Sequence, residues 1–326
     1  MNNHIELLDI QLLDSKSKLT EIDHWLNIFN WPNGWHYDLD IIWILDNLER
    51  MTLPRGATII DAGAGLGMTQ FILAARGYNI ISLDFTDRKI PHFSKNIFTI
   101  NLHNRDLGAY KHEYMNFMTY GDKTNIQGQT RKSFFERLKN VNSPEKLYIY
   151  LGAKSYQLSK NLKNTLNLPY VMETFKDHSS FGNITFLRGT FNSIPLPDST
   201  ADAIVSVSAF EHNTYEDMPG SVKEFERVLK KDAPMFITTS ASQDKDWYFE
   251  PPKAWNFSKE TLASWFDVPA QNISFNYKKV FENITNSEIL KKRMSPFYKF
   301  GRNNGLPLGN LKEAKFLPVG ITKVKK

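Results

Sequence analysis

The stretch from Ala57 to Asp84 constrains this chain more than any other. It reads Ala57–Asp61 (ATIID), then Gly63-Ala64-Gly65-Leu66-Gly67, then Met68–Arg76 (MTQFILAAR), Gly77 and Asn79–Asp84 (NIISLD). A short apolar, partly β-branched run that ends in a glycine cluster predicts a buried strand entering a tight turn. The helix formers after it, closed by Gly77, predict a helix with a C-terminal cap, and a second apolar strand follows. Strand, glycine turn, helix and strand in that order make a βαβ unit, which implies a parallel sheet and a right-handed crossover. Glycines in such a turn let the backbone bend sharply and lie against a ligand that a Cβ would obstruct.

The spacing narrows the ligand. A dinucleotide fingerprint requires G-x-G-x-x-G, so that a pyrophosphate meets the helix N-terminus. Here the third glycine comes one position early and Asp61 precedes the first. That acid repels a pyrophosphate and suits a ligand carrying an ammonium group. Asp84, at the tip of the second strand, stands where an acid accepts both hydroxyls of a ribose.

With IIDAGAGLG, ISLDF and FLRGTFNSIPLPDSTADAIVSVSAFEHN in hand, the chain resembles the class I, Rossmann-like S-adenosylmethionine-dependent methyltransferases, small-molecule branch. The resemblance covers about residues 55–85 and 184–240. It implies an α/β fold: a Rossmann-like, mostly parallel seven-stranded sheet with helices on both faces and an antiparallel last strand. It implies S-adenosyl-L-methionine as cofactor, with Gly63, Gly65 and Gly67 against its methionyl part and Asp61 supporting the loop. Asp84 would bind the ribose and Phe85 would lie against the adenine. Thr190 stands where the family often has an acid for the adenine amino group, which shifts that contact towards the Phe191 backbone. Ser206 and Ala209 would end the fourth strand at the pocket floor, and Tyr37 would close over the cofactor from the N-terminal segment. The family's usual glycine-bearing turn before the fifth strand is LKKDAP here.

Around this core the expected organisation is an N-terminal helical cap (1–55), the methyltransferase domain (56–87 and 183–326) and a mainly helical insertion (88–182) serving as lid or oligomer surface. Asp38–Met51 carries Ile41, Ile42, Leu45 and Leu48 at helical spacing. Within the insertion, 131–140 and 156–166 are the better helical candidates. Later strands are expected at Asn183–Leu187, Ala201–Ser208, Pro234–Thr239, Ile273–Glu282 and Phe316–Val324. Helices are expected at Ser221–Lys231 and from a Ser258 cap to Phe266.

Methyl transfer to a hydroxyl needs alignment and removal of a proton. His212, just past the fourth strand, is the candidate base, with Glu211 as an orienting acid. His92, His103, His112 and His178 also fall in the insertion, and nothing in the sequence selects among them. Glu211, His212, Glu216 and Asp217 read as an acidic loop opening a helix, so no metal site is expected. Trp35, Tyr37, Trp247, Tyr248 and Trp255 could shape an acceptor site. The expected acceptor is a small molecule: a hydroxyl of a sugar, glycan precursor or secondary metabolite. The alternatives are a nucleic-acid (RNA) methyltransferase and a non-catalytic S-adenosylmethionine-binding module. Against nucleic acid, the fourth strand leads into Ser208-Ala209-Phe210-Glu211 rather than an Asn/Asp-Pro-Pro-aromatic loop. The 326 residues include no cysteine, which excludes a thiolate nucleophile, disulfides and Cys-bound metals. No apolar run reaches the roughly 20 residues that span a bilayer, and a cytoplasmic enzyme is the expectation. The net charge of +5 is local. Residues 291–326 hold ten basic residues against Glu313 alone, leaving residues 1–290 at −4. That segment could meet an anionic acceptor such as a nucleotide sugar.

Overall fold

The computed structural model describes residues 2–29, 33–65, 67–85, 94–103, 144, 151, 155, 178–250, 252–299 and 306–326. A nine-stranded sheet organises them, in the order β10-β1-β11-β7-β6-β2-β3-β5-β4. Its parallel heart is β2 (Thr58–Ala62), β3 (Asn79–Asp84), β5 (Ile184–Arg188), β6 (Ala203–Val207) and β7 (Pro234–Ala241). All eight residues of β7 are buried, the pattern of a strand covered on both faces. β11 (Leu317–Val324) runs antiparallel against β7. The fold is therefore the expected Rossmann-like one with an antiparallel last strand.

The strand count exceeds the expected seven, and the additions sit at the two edges. β1 (His4–Leu7) pairs antiparallel with β11 and parallel with the two-residue β10 (Ile273–Ser274). The N-terminal segment is thus part of the sheet rather than wholly helical. Asn3 fastens it: its Oδ1 accepts from Val324 N, and its Nδ2 donates to the carbonyls of Phe266 and Asp267. At the other edge β4 (Ile100–His103) pairs parallel with β5, so the expected helical insertion opens on a strand. The candidates 131–140 and 156–166, and His92 and His112, lie outside the described residues. The strand expected at Ile273–Glu282 stops after two residues. Asn276 then caps a helix at Tyr277–Thr285 by accepting from Lys279 N, and Val280 and Ile284 face the core one turn apart. The cap and the helical spacing outweigh the β-branched content.

Three helices bear on the site. α1 (Lys16–Phe29) packs against both α3 (Thr69–Ala75) and α2 (Tyr37–Met51), and α2 is buried almost all round. α2 ends where Thr52 turns left-handed and its N–H reaches Glu49 O. Trp43, in its middle, lies against Phe236 and over Gly320, where a Cβ would meet the indole at 2.5 Å. That contact explains a glycine inside β11. Trp43 Nε1 donates to Glu6 Oε1 at 2.7 Å and ties α2 to β1. On the opposite face α5 (Met218–Val228; a four-residue α4, Ser94–Ile97, precedes it) holds Arg227. Its guanidinium bonds Glu224, Asp198 and the carbonyls of Ile194 and Leu196, fixing the proline-rich loop after β5.

Candidate active site

The carboxyl ends of β2, β3, β6 and β7 open on one crevice, where ligands bind in open α/β sheets. Gly63 leaves β2 at φ +72° and its N–H bonds Leu83 O at 2.9 Å; Gly65 follows at φ +49°. A Cβ on Gly63 would sit 2.4 Å from Ala209 Cβ and 2.8 Å from Phe191 Cζ. The glycine therefore meets two other expected cofactor residues at van der Waals range. Gly65 N–H donates to Asp84 Oδ2 at 2.9 Å, so the acid at the tip of β3 is fastened to the glycine turn. Gly67 needs its missing Cβ for a different reason: one would approach Ala64 O at 2.9 Å. Below the turn, Gln70 Nε2 donates to Gly67 O and its Oε1 accepts from Ser82. Asp61 is buried at the end of β2.

Phe85 follows Asp84 and is 55% exposed, the most exposed large apolar side chain among the described residues. Arg188 Nε holds its carbonyl at 3.1 Å. An exposed ring beside a buried acid is a shelf with a polar edge. Thr190 is exposed, while Phe191 is half-buried between Phe210 and Phe225. Tyr37 is half-buried at the start of α2.

On the β6 side, Ser206 is fully buried, and Ser208 is held at φ +45° by bonds from its N–H to Thr238 O and Oγ1. A left-handed serine at a strand end is a strained position, of the kind that gathers at binding sites. Among the described residues, neither serine hydroxyl has a hydrogen-bond partner, nor does either end of the buried Asn256 amide. Glu211 and His212 part company. The Glu211 carboxylate is buried and accepts from the Thr239 hydroxyl at 2.9 Å, with Ser240 Oγ at 3.5 Å. His212 is exposed, and its Nδ1 donates to Lys253 O at 3.0 Å.

Lys253 belongs to the hairpin of β8 (Trp247–Phe249) and β9 (Ala254–Asn256). Trp255 there stands between Tyr215, at 4.7 Å between ring centroids, and Tyr248, at 5.3 Å. Asp246 anchors this wall by accepting from the Tyr215 hydroxyl, the Thr261 hydroxyl and Ser258 N. Burial pushes the Asp246 carboxyl up, but those three donors outweigh it and hold it below the usual range. Ser258 caps α6 (Lys259–Phe266), as its position in the sequence predicts. Trp247 lies in the hairpin, whereas Trp35 packs on His36 and Phe316 beneath α2.

Two groups of expected residues are not brought together. Glu211 turns to β7 and His212 to the hairpin, while Asp217 accepts from Thr214. Among the described residues, no three His, Cys, Asp or Glu side chains could share a metal ion. At least four of the ten C-terminal charges have partners within the chain. Arg293 pairs with Asp23 and Asp38, Lys323 is buried against Asp267 and Glu226, and Lys291 pairs with Glu288. Lys325 donates to the carbonyls of Arg227 and Leu229. A cavity of about 510 Å³ at the outer edge of β4, lined by Lys95, Phe98, His178 and Phe181 among others, lies away from the glycine turn.

Several site residues carried a signal that the strand and motif patterns did not use. Thr238, Thr239 and Ser240 are a run of hydroxyls ending an otherwise apolar strand. His36 and Asp40 are spaced i, i+4, which places them side by side on one helix face. Asn256 gave no signal, because its position depends on a hairpin packed onto β7.

The glycine turn is thus tied to an acid at the next strand tip, beside an exposed aromatic ring. The family model described as "Methyltransferase domain" matches residues 157–237. That stretch is about a quarter of the chain, and over it the chain is similar to the methyltransferase domain. Among solved structures, it is similar to a 1,6-didemethyltoxoflavin-N1-methyltransferase from Burkholderia thailandensis (10% identity, all of both chains covered, TM-score 0.42). It is also similar to a geranyl diphosphate methyltransferase (11% identity, 100% of this chain and 89% of that one, TM-score 0.44). A third is the YcgJ protein from Bacillus subtilis (14% identity, 86% and 97% covered, TM-score 0.37). The acceptors named there belong to those proteins. No curated protein sequence matches the chain, and no helix among the described residues is long and apolar enough to cross a membrane.

Proposed function

We propose that this methyltransferase moves a methyl group to a hydroxyl of a small polar acceptor, of the sugar, glycan-precursor or secondary-metabolite kind. The observation that carries the reading is the join of Gly65 N–H to Asp84 beside the bare Gly63. A Cβ at Gly63 would strike Ala209 and Phe191, so only a glycine lets the turn lie against these two residues, and the N–H and carboxylate groups beside it fit a nucleoside cofactor. In this reading Gly63, Gly65 and Gly67 line the methionyl chain and Asp61 supports the loop. Asp84 takes the ribose hydroxyls, and Phe85 covers the adenine with Phe191 and Thr190 at its edge. Tyr37 closes the pocket from α2, and Ser206 and Ala209 form its floor. When bound, the sulfonium supplies an activated methyl with a neutral leaving group.

The protein's part is then to align the acceptor and move its proton. Trp255, Tyr248 and Tyr215 offer flat apolar faces, and Ser208 and Asn256 offer uncharged hydrogen-bonding groups. That combination suits a polyhydroxylated ring better than a polyanion. Glu211, tied to β7, holds the loop that carries His212.

Calorimetry with S-adenosylmethionine tests the cofactor site: binding by wild type and weakening in Asp84→Ala are expected. Absence of binding, or unaltered binding in the variant, sinks it. An acceptor screen read by S-adenosylhomocysteine release tests the second half. Turnover of RNA with a salt-sensitive gel shift would replace the small-molecule acceptor by a nucleic acid.

A further inference from the structure

His36 and Asp40 form a buried pair at the start of α2. Nδ1 of His36 lies 2.7 Å from Asp40 Oδ2, and the residues are 4% and 0% exposed. An ionised Asp40 carboxylate only accepts, which in that state puts the ring proton on Nδ1 and the lone pair on Nε2. Nε2 makes no hydrogen bond among the described residues. Burial pushes the Asp40 carboxyl up, against the pull of His36 and the Thr238 hydroxyl.

The pair is connected to the crevice. Asp61 pairs with Val205, and Val205 with Phe236, so these three share a sheet face. Trp43 of α2 lies against Phe236, which makes it the α2 face. Thr238, two residues on, shares that face and meets Asp40. Its Oγ1 and carbonyl accept the Ser208 N–H, and the next residue, Ala209, touches Gly63. Through Thr238, Ser208 and Ala209 the sheet face under α2 runs on to the glycine turn.

We propose that His36, oriented by Asp40, is the catalytic base for the acceptor hydroxyl; this rests on the methyl-transfer reading above. As the acceptor oxygen forms its bond to the methyl carbon, its proton passes to Nε2. The bond from that carbon to sulfur breaks, and its electron pair stays on the sulfur, which becomes a neutral thioether. Asp40 stabilises the imidazolium that results. His212 turns instead to the hairpin, where its Nδ1 donates to the Lys253 carbonyl. Among the described residues, the charged groups facing the dyad include Asp38 on the same helix and Arg293, bound to Asp38. Lys315, beside the Phe316 ring that packs on His36, is exposed.

The test compares two ligands that differ at the reacting atom. Histidine-labelled protein is titrated by NMR with S-adenosylmethionine and with S-adenosylhomocysteine, His36 being assigned from His36→Gln and His212 from His212→Gln. A sulfonium charge within several ångströms lowers the titration midpoint of the His36 ring by about one pH unit relative to the thioether complex. The His212 midpoint moves much less. In Asp40→Asn the Nδ1–H signature is lost while S-adenosylhomocysteine affinity stays within about threefold of wild type. Equal His36 midpoints in two complexes that both form overturn the proposal alone. Failure of both ligands to bind wild type brings down the methyl-transfer reading with it.

Discussion

At the ends of β2 and β3 the site is made of main chain, and at the ends of β6 and β7 it is made of side chains. The first half consists of Gly63 and Gly65 in left-handed conformations, with backbone N–H groups meeting Leu83 O and Asp84. The second half consists of Ser208, Thr238, Glu211, Asn256 and the aromatic wall. A backbone site admits one ligand geometry and few substitutions. A side-chain site can be respecified residue by residue. That division matches a constant cofactor on one side and a particular acceptor on the other.

The sharpest way to break this contrast is Gly63→Ala. It adds a Cβ 2.4 Å from Ala209 and forces a non-glycine residue to φ +72°. A stability loss of about 2–4 kcal/mol is expected by denaturant titration, with loss of measurable cofactor binding. Asp84→Ala comes next: it removes a charge-assisted bond to Gly65 and, in the proposed function, the group that takes the ribose hydroxyls. Calorimetry should read a 10–100-fold weaker S-adenosylmethionine complex, about 1.5–3 kcal/mol. Gln70→Ala leaves Gly67 O without its side-chain donor, at a cost of about 1–2 kcal/mol in chemical unfolding and a few-fold in affinity.

On the side-chain half, Asp246 gives a pH test. Its carboxyl titrates below the usual value in the folded chain, so the stability it confers is present above about pH 4. That stability is lost as the pH falls through the folded value. The acid limb of the unfolding profile should therefore be shallower in Asp246→Asn than in wild type. Lys291→Ala, which breaks an exposed pair with Glu288, should change stability by less than about 0.5 kcal/mol and leave cofactor affinity alone. A larger effect would show that the basic segment takes part in the site.

The glycine turn could be read from the sequence because its parts are contiguous. Strand, turn, helix and strand lie within 28 residues, and local backbone chemistry decides each. The same holds for the Ser258 cap and for β11. The sheet edges could not be read this way. β1 has only four residues, and its partners lie some 270 to 320 positions away, so their pairing is decided by packing rather than by local pattern. Ile273–Glu282 shows the reverse error, where β-branched content suggested a strand and the Asn276 cap made a helix.

The basic C-terminal segment is the clearest case of tertiary structure deciding meaning. As sequence it is a cluster of +9. In the fold, Arg293, Lys323 and Lys325 are consumed by partners on α1, α2, α5 and the turn after α6. The parallel sheet and the glycine turn were legible in the linear pattern, since short-range spacing suffices for those. Only the tertiary structure set His36 and Asp40 against Thr238, and separated Glu211 from His212. The physical reason is that burial and hydrogen-bond partnership belong to neighbours in space, which a linear pattern does not hold.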